Sequence, residues 1–214
     1  MPRRLLALLG LALALSLLPA APAAASPRSD AKRLIALDDR LNGAVEAEGT
    51  ATFERLMAEF EQCGPAEGEL DRARSDEVFG RMLNLMMRNM FAAIRDDLAV
   101  AAGRLDRFAP ATSAIRRASR AMASVVRLSV ELGAEPPDLC TYFGAWKQAG
   151  WDPQWHPDPA VPGLTAQQRA GIRSAHATMR RSGRALRRYG ISRKRVKALV
   201  SNYDARMLLE LPAL

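Results

Sequence analysis

The chain reads as an all-α protein: an antiparallel bundle of five or six helices tied by one disulfide. Three observations predict it. Apolar residues recur every three or four positions through most of 30–211, the spacing that keeps side chains on one helix face. Glycines, prolines and Ser/Thr caps fall between those stretches, where helices stop and start. Two cysteines, Cys63 and Cys140, form an even pair in a chain that opens with export features.

Residues 1–25 have the layout of a secretory signal peptide. Arg3 and Arg4 precede an apolar run over 5–18, and Ala23, Ala24 and Ala25 give a small-x-small cleavage signature. The run has 14 residues, short of the roughly 20 a spanning helix needs, and Pro19 and Pro22 interrupt it. The expectation is cleavage near Ala25–Ser26 and a secreted or envelope-associated chain, 26–214, forming a single helical-bundle domain. A retained anchor is the alternative. An oxidising compartment then implies a Cys63–Cys140 bond. Its closed loop of 76 intervening residues is worth about 4 kcal/mol in the chain-entropy description.

The pattern over 30–62 carries Leu34, Leu37, Leu41, Val45, Phe53, Leu56, Met57 and Phe60 on one face. Gly43 and Gly49 weaken its middle by up to about 1 kcal/mol each relative to alanine, leaving either two short helices or one bent helix. The longest amphipathic stretch is 75–108, with Phe79, Leu83, Met86, Met90, Ile94, Leu98, Leu105 and Phe108 in step. Ser75 is placed to cap it, Pro110 closes it, and Gly103 is its expected weak point. Met82, Met86, Met87 and Met90 raise a thioether site for Cu(I) or haem. No His or Cys stands at helical spacing to complete one, so they read as core packing. Neither a metal nor a cofactor is expected.

A third helix follows from Thr112 or Ser113 with Ile115, Met122, Val125, Val126, Ser129 and Leu132 inward, ending at Gly133. A short one after Pro137 carries Leu139, Cys140, Phe143 and Trp146, and Gly150 stops it. Residues 151–163 hold four prolines and two tryptophans and fit neither helix nor central strand. Trp151 and Trp155 read as a lid on the core in preference to an exposed aromatic platform. Thr165 and Gln168 form a capping box for a helix carrying Ile172, Ala175, Met179, Leu186 and Tyr189. Gly190 stops it, and Ser192 caps a last helix bearing Val196, Leu199, Val200, Tyr203, Met207 and Leu211.

Charge is distributed unevenly. Over 165–214 there are 12 Lys and Arg against Asp204 and Glu210, whereas 26–77 carries 13 acids and 7 bases. Arg180, Arg181, Arg184, Arg187, Arg188, Arg193, Lys194, Arg195 and Lys197 crowd around one helix–helix turn. They are the candidate surface for an anionic envelope component or an acidic protein; a solvated pair of helix faces is the plainer reading.

No GxSxG, HExxH, CxxCH, P-loop or GxGxxG pattern occurs. His156 and His176 lie apart, and adjacent acids such as Asp38–Asp39 diverge around a helix. No catalytic residue is nominated. The chain reads as an interaction module; an enzyme with an acidic site assembled by folding is the alternative.

Residues 185–199 resemble a helix-turn-helix DNA-binding motif at Gly190, Ile191, Ser192, Val196 and Leu199. Leu186 departs from it where a small residue is usual. The resemblance implies that Arg193, Lys194, Arg195 and Lys197 face phosphates and bases, but an exported chain has no operator to bind. The export segment, the Ala/Arg-rich helical body, the two cysteines and Pro-Pro-Asp-Leu-Cys-Thr-Tyr-Phe-Gly-Ala-Trp at 136–146 resemble uncharacterised secreted helical proteins of high-GC Gram-positive bacteria. That resemblance implies a helical bundle and export, with no activity attached.

Overall fold

The computed structural model describes residues 26–158, 161–212 and 214; residues 1–25, expected to be a signal peptide, lie outside them. The described chain is all-α, with α1 Pro27–Cys63, α2 Arg72–Ala93, α3 Arg95–Arg107, α4 Ser113–Leu132, α5 Leu139–Gln148, α6 Ala166–Arg188 and α7 Arg193–Asn202. A 3-10 turn, Ala205–Leu209, follows. Cys63 and Cys140 are disulfide-bonded, with Cα atoms 5.2 Å apart.

Helix α1 is one continuous element of 37 residues. Ser26 caps it by accepting from the Ser29 N–H at 3.1 Å, and Pro27 occupies the first position, where its missing N–H costs nothing. The two glycines do not divide it, because apolar burial holds both halves: Leu34 and Leu37 in one cluster, Leu56 in another. A Cβ on Gly49 would lie 3.8 Å from the Met90 sulfur, so α1 and α2 run close there.

The expected single helix over 75–108 is two. It starts earlier, with Asp71 accepting from the Arg74 N–H at 2.9 Å, and it breaks at Ile94, not at Gly103. Gly133 supplies the physical reason. A Cβ at Gly133 would fall 2.6 Å from both the Ala92 nitrogen and the Phe91 carbonyl carbon, so the end of α4 crosses directly on the backbone beside the break. Beyond Ile94 the buried face also changes partners: Met82, Leu85 and Met86 pack with α5, whereas Ile94, Leu98 and Leu105 pack with α1, α4, α6 and α7. This split raises the helix count from the expected five or six to seven.

The inner face of α2 keeps the expected Met82 and Met86 but loses Phe79 and gains polar members. Phe79, expected to head it, is 57% exposed, while Val78, Arg81, Met82, Asn84, Leu85, Met86 and Arg88 are buried. Met87 packs beside Leu128, Leu132, Ile172 and Leu208.

The polar members of that face hold the loops. Arg81, 1% exposed, donates to Glu77 Oε1 (2.7 Å), the Tyr142 hydroxyl (3.2 Å), and the carbonyls of Trp155 (2.7 Å) and Pro153 (2.6 Å). Its guanidinium also lies 4.3 Å from the Trp146 ring centroid. Further along, Asn84 donates to the Pro212 carbonyl, Arg88 to that of Pro162, and Asn89 to that of Pro137. Burial pushes the Arg88 guanidinium below its ordinary pKa. Proline lacks an N–H, so ladder pairing is closed to these segments and side-chain donors satisfy their carbonyls instead.

Trp151 is 4% exposed and packs against Trp146 and Phe143, and Trp155 stacks near Trp146 and Tyr142. Both rings therefore cover the core. Gly150, at φ +71°, ends α5 in a Schellman motif: the Trp151 N–H bonds the Trp146 carbonyl and the Gly150 N–H that of Lys147. Trp151 itself sits at φ +57°, held there by its ring contacts and by donation of its indole N–H to Glu69 Oε1 at 2.9 Å.

Candidate functional site

Helices α6 and α7 place the candidate basic residues. Thr165 and Gln168 make both reciprocal bonds of the capping box, and α6 ends in a second Schellman motif: Gly190, at φ +87°, bonds Arg187 while Ile191 bonds Leu186. That turn returns the chain as a tight αα-hairpin, and Ser192 caps α7 by accepting from the Arg195 N–H. Helix α7 ends at Asn202, short of the expected 211. Tyr203 is buried, Asp204 caps the 3-10 turn, and Met207 is exposed rather than part of an inner face.

One face of α6, at the spacing 176, 180, 183, 184 and 187, meets the face of α7 at 193, 196, 197, 200 and 201. Together with Asp204 and Arg206 they enclose a groove of about 410 Å³. Its apolar floor is Gly183, Val196 and Val200. A Cβ on Gly183 would lie 2.9 Å from Val196 Cγ1, so the glycine sets how closely the helices approach. Arg180, Arg184, Arg187, Arg193 and Lys197 line the rim and take part in no ion pair among the described residues.

The groove's one acid is already engaged. Asp204 accepts from Arg206 at 2.7 and 2.8 Å and lies 3.2 Å from His176 Nδ1. The Arg206 hydrogen bond, assisted by its charge and by His176, holds the Asp204 carboxyl below the usual range against partial burial. Like charges one turn apart repel, so the free rim cations raise the energy of the unliganded hairpin and favour an anion between them.

The structure sorts the nine expected residues. Arg180, Arg184, Arg187, Arg193 and Lys197 meet in the groove. Arg195 turns away to α1, where it pairs with Asp39 and lies 3.9 Å from Asp38. Arg181 donates to Thr178 at 3.3 Å. Arg188 and Lys194 are exposed outside the groove lining. The Arg195 contact also removes one of the four cations that the helix-turn-helix resemblance assigns to phosphates and bases.

Asp38 on α1 lies 3.9 Å from Arg195 of the hairpin. It is fully buried and accepts from Asn42 at 2.6 Å; burial raises its pKa, opposed by Asn42 and, more weakly, by Arg195. The neighbouring Tyr203 hydroxyl is pushed up by its own burial and by that carboxylate.

Sequence reasoning named the groove cations but missed His176, Asp204 and Arg206, which line it at the end away from the Gly190 turn. The i, i+4 relation of His176 to Arg180 was the only available signal. His156 lies exposed in its loop. Among the described residues no group of three or more His, Cys, Asp or Glu side chains is placed to hold a metal ion, and no helix is long and apolar enough to cross a membrane. Comparison with protein-family models, with curated proteins and with solved structures found no match to this chain.

Proposed function

We propose that the chain is an exported, non-enzymatic interaction module of the cell envelope or extracellular space, and that its α6–α7 hairpin holds an anionic envelope component or an acidic protein. The observation that carries this reading is the groove: five cations without ion-pair partners among the described residues stand around an apolar floor of Gly183, Val196 and Val200. A solvated helix face needs neither the concavity nor the clustering. The N-terminal sequence features and the Cys63–Cys140 bond support export, since disulfides persist in oxidising compartments.

Fluorescence anisotropy with a labelled oligophosphate of about ten units tests the groove. Binding should weaken with salt. The triple variant Arg180→Gln/Arg184→Gln/Lys197→Gln should lose at least about tenfold in affinity, about 1.4 kcal/mol, while keeping its helical circular dichroism. Unchanged affinity in a folded triple variant sinks the reading.

A further inference from the structure

We propose that one end of the bundle, adjoining the groove and sharing Arg187 and Arg193 with it, is a docking surface for an anionic lipid bilayer in the form of the chain that retains residues 1–25. Three segments meet there. The Arg28 guanidinium lies against the α6–α7 turn, its Nε 3.4 Å from where a Cβ on Gly190 would be. Asp30 accepts from the Ala111 N–H at 2.8 Å, and Arg33 lies 5.4 Å from the Phe108 ring centroid. The start of α1 is thereby fixed between the α3–α4 turn and the α6–α7 turn.

These segments are almost uniformly basic. Residues 26–33, 107–117 and 187–194 carry Lys or Arg at ten positions and an acid only at Asp30, which is fully buried. Arg28, Lys32, Arg33, Arg117, Arg188 and Lys194 are exposed. Helices α1, α4 and α7 begin at this end while α3 and α6 end there, so their dipoles largely offset and the side chains set the potential. Arg107, Arg187 and Arg188 stand in last turns, where the dipole favours cations, but Arg28, Arg116, Arg193 and Lys194 stand in first turns against that preference. Folding does not account for these four, whereas an anionic surface does.

The position of the chain's N-terminal part selects the occupant. Residues 1–25 join Ser26 on this face, and their apolar run over 5–18 is separated from Ser26 by only the seven residues 19–25. Fully extended, seven residues reach about 25 Å at most. Where the run is retained as an anchor in place of cleavage near Ala25–Ser26, it holds the basic end beside the headgroups, and an apolar segment with an adjacent polybasic surface is the two-signal arrangement that stable membrane attachment requires. An acidic protein offers no counterpart to the apolar run.

The test is co-sedimentation of the full chain with phosphatidylcholine vesicles, with and without about 30% phosphatidylglycerol. Partition should be at least about tenfold stronger on the anionic vesicles and should fall as salt rises from about 0.05 to about 0.5 M. Arg28, Lys32 and Arg117 enter no hydrogen bond or ion pair among the described residues. The variant Arg28→Gln/Lys32→Gln/Arg117→Gln should therefore fold and lose roughly 100-fold in partition, at ~1 kcal/mol per surface cation, while keeping its oligophosphate affinity. The groove variant should show the converse. Equal partition on both vesicle types, insensitivity to salt, or vesicle binding lost equally in both variants overturns the proposal. Loss of oligophosphate binding in the groove variant alone still leaves the groove reading intact.

Discussion

Arg81 shows how one residue can hold several parts of the chain. It joins α2 to α5 through Tyr142 and to the proline-rich loop through Pro153 and Trp155, with its charge balanced by Glu77. In Arg81→Met the two loop carbonyls lose their donor, at about 1–3 kcal/mol for each buried group left unsatisfied. A loss of about 2–4 kcal/mol in urea unfolding is expected, with a change in tryptophan emission as the loop loosens; an unchanged midpoint would show that water replaces the guanidinium without cost. Glu69 reports the same loop from its other side. The Trp151 indole N–H, then the Ala66 N–H and Lys147, lower its carboxyl from 4.5 to about 2. Because the folded-state value is depressed, the contact stabilises fully above pH 4.5 and is lost as pH falls through about 2. Tryptophan emission should change across that window, and Glu69→Gln, which cannot titrate, should abolish the change.

Among the elements, the inner faces of α4 to α7 and the caps around α6 and α7 were legible in the sequence, whereas the start of α2 at Asp71 and the end of α7 at Asn202 were not. Thr165 with Gln168, Ser192 and Gly190 act as local chemistry predicts, since a cap depends on residues within one turn. The break at Ile94 was not legible, because its cause, Gly133, lies 39 positions away and acts through contact with the 91–92 backbone. The polar part of α2's inner face was missed for a related reason: Arg81 and Arg88 look like solvated positions until the carbonyls of Pro153 and Pro162 come round to meet them. Two glycines separate these cases. Gly133→Ala should destabilise at the upper end of the ~1–3 kcal/mol typical of overpacking, since backbone cannot yield. A Cβ on Gly103 would meet only the Arg107 side chain, at 3.7 Å, so Gly103→Ala should stabilise by about 0.5–1 kcal/mol. Thermal unfolding of the two variants distinguishes them, and a neutral Gly133→Ala would refute the crossing as the origin of the break.

For the whole molecule, the fold class and the disulfide follow from periodicity and cysteine count, while the groove needed the structure to separate Arg180 and Lys197 from Arg195. Sequence spacing places all three on one hairpin; only the buried acid Asp38 and its neighbour Asp39 on α1 decide which cation turns inward. The Cys63–Cys140 bond encloses α2, α3 and α4. Opening it should cost about 4 kcal/mol, seen as a lower urea midpoint for Cys63→Ser/Cys140→Ser; equal midpoints would show that the unfolded chain gains nothing from release.

Helix α1 connects the basic end, at Pro27, to the disulfide-bonded aromatic end, at Cys63. At 1.5 Å per residue its 37 residues measure about 55 Å, several times the ~8 Å over which charges sense one another at physiological ionic strength. The two ends are therefore electrically insulated. Neutralising cations near Pro27 leaves Glu69 to titrate as before, and a chain resting on a surface through its basic end holds exposed Phe79 well out in the surrounding fluid, beyond that surface's field.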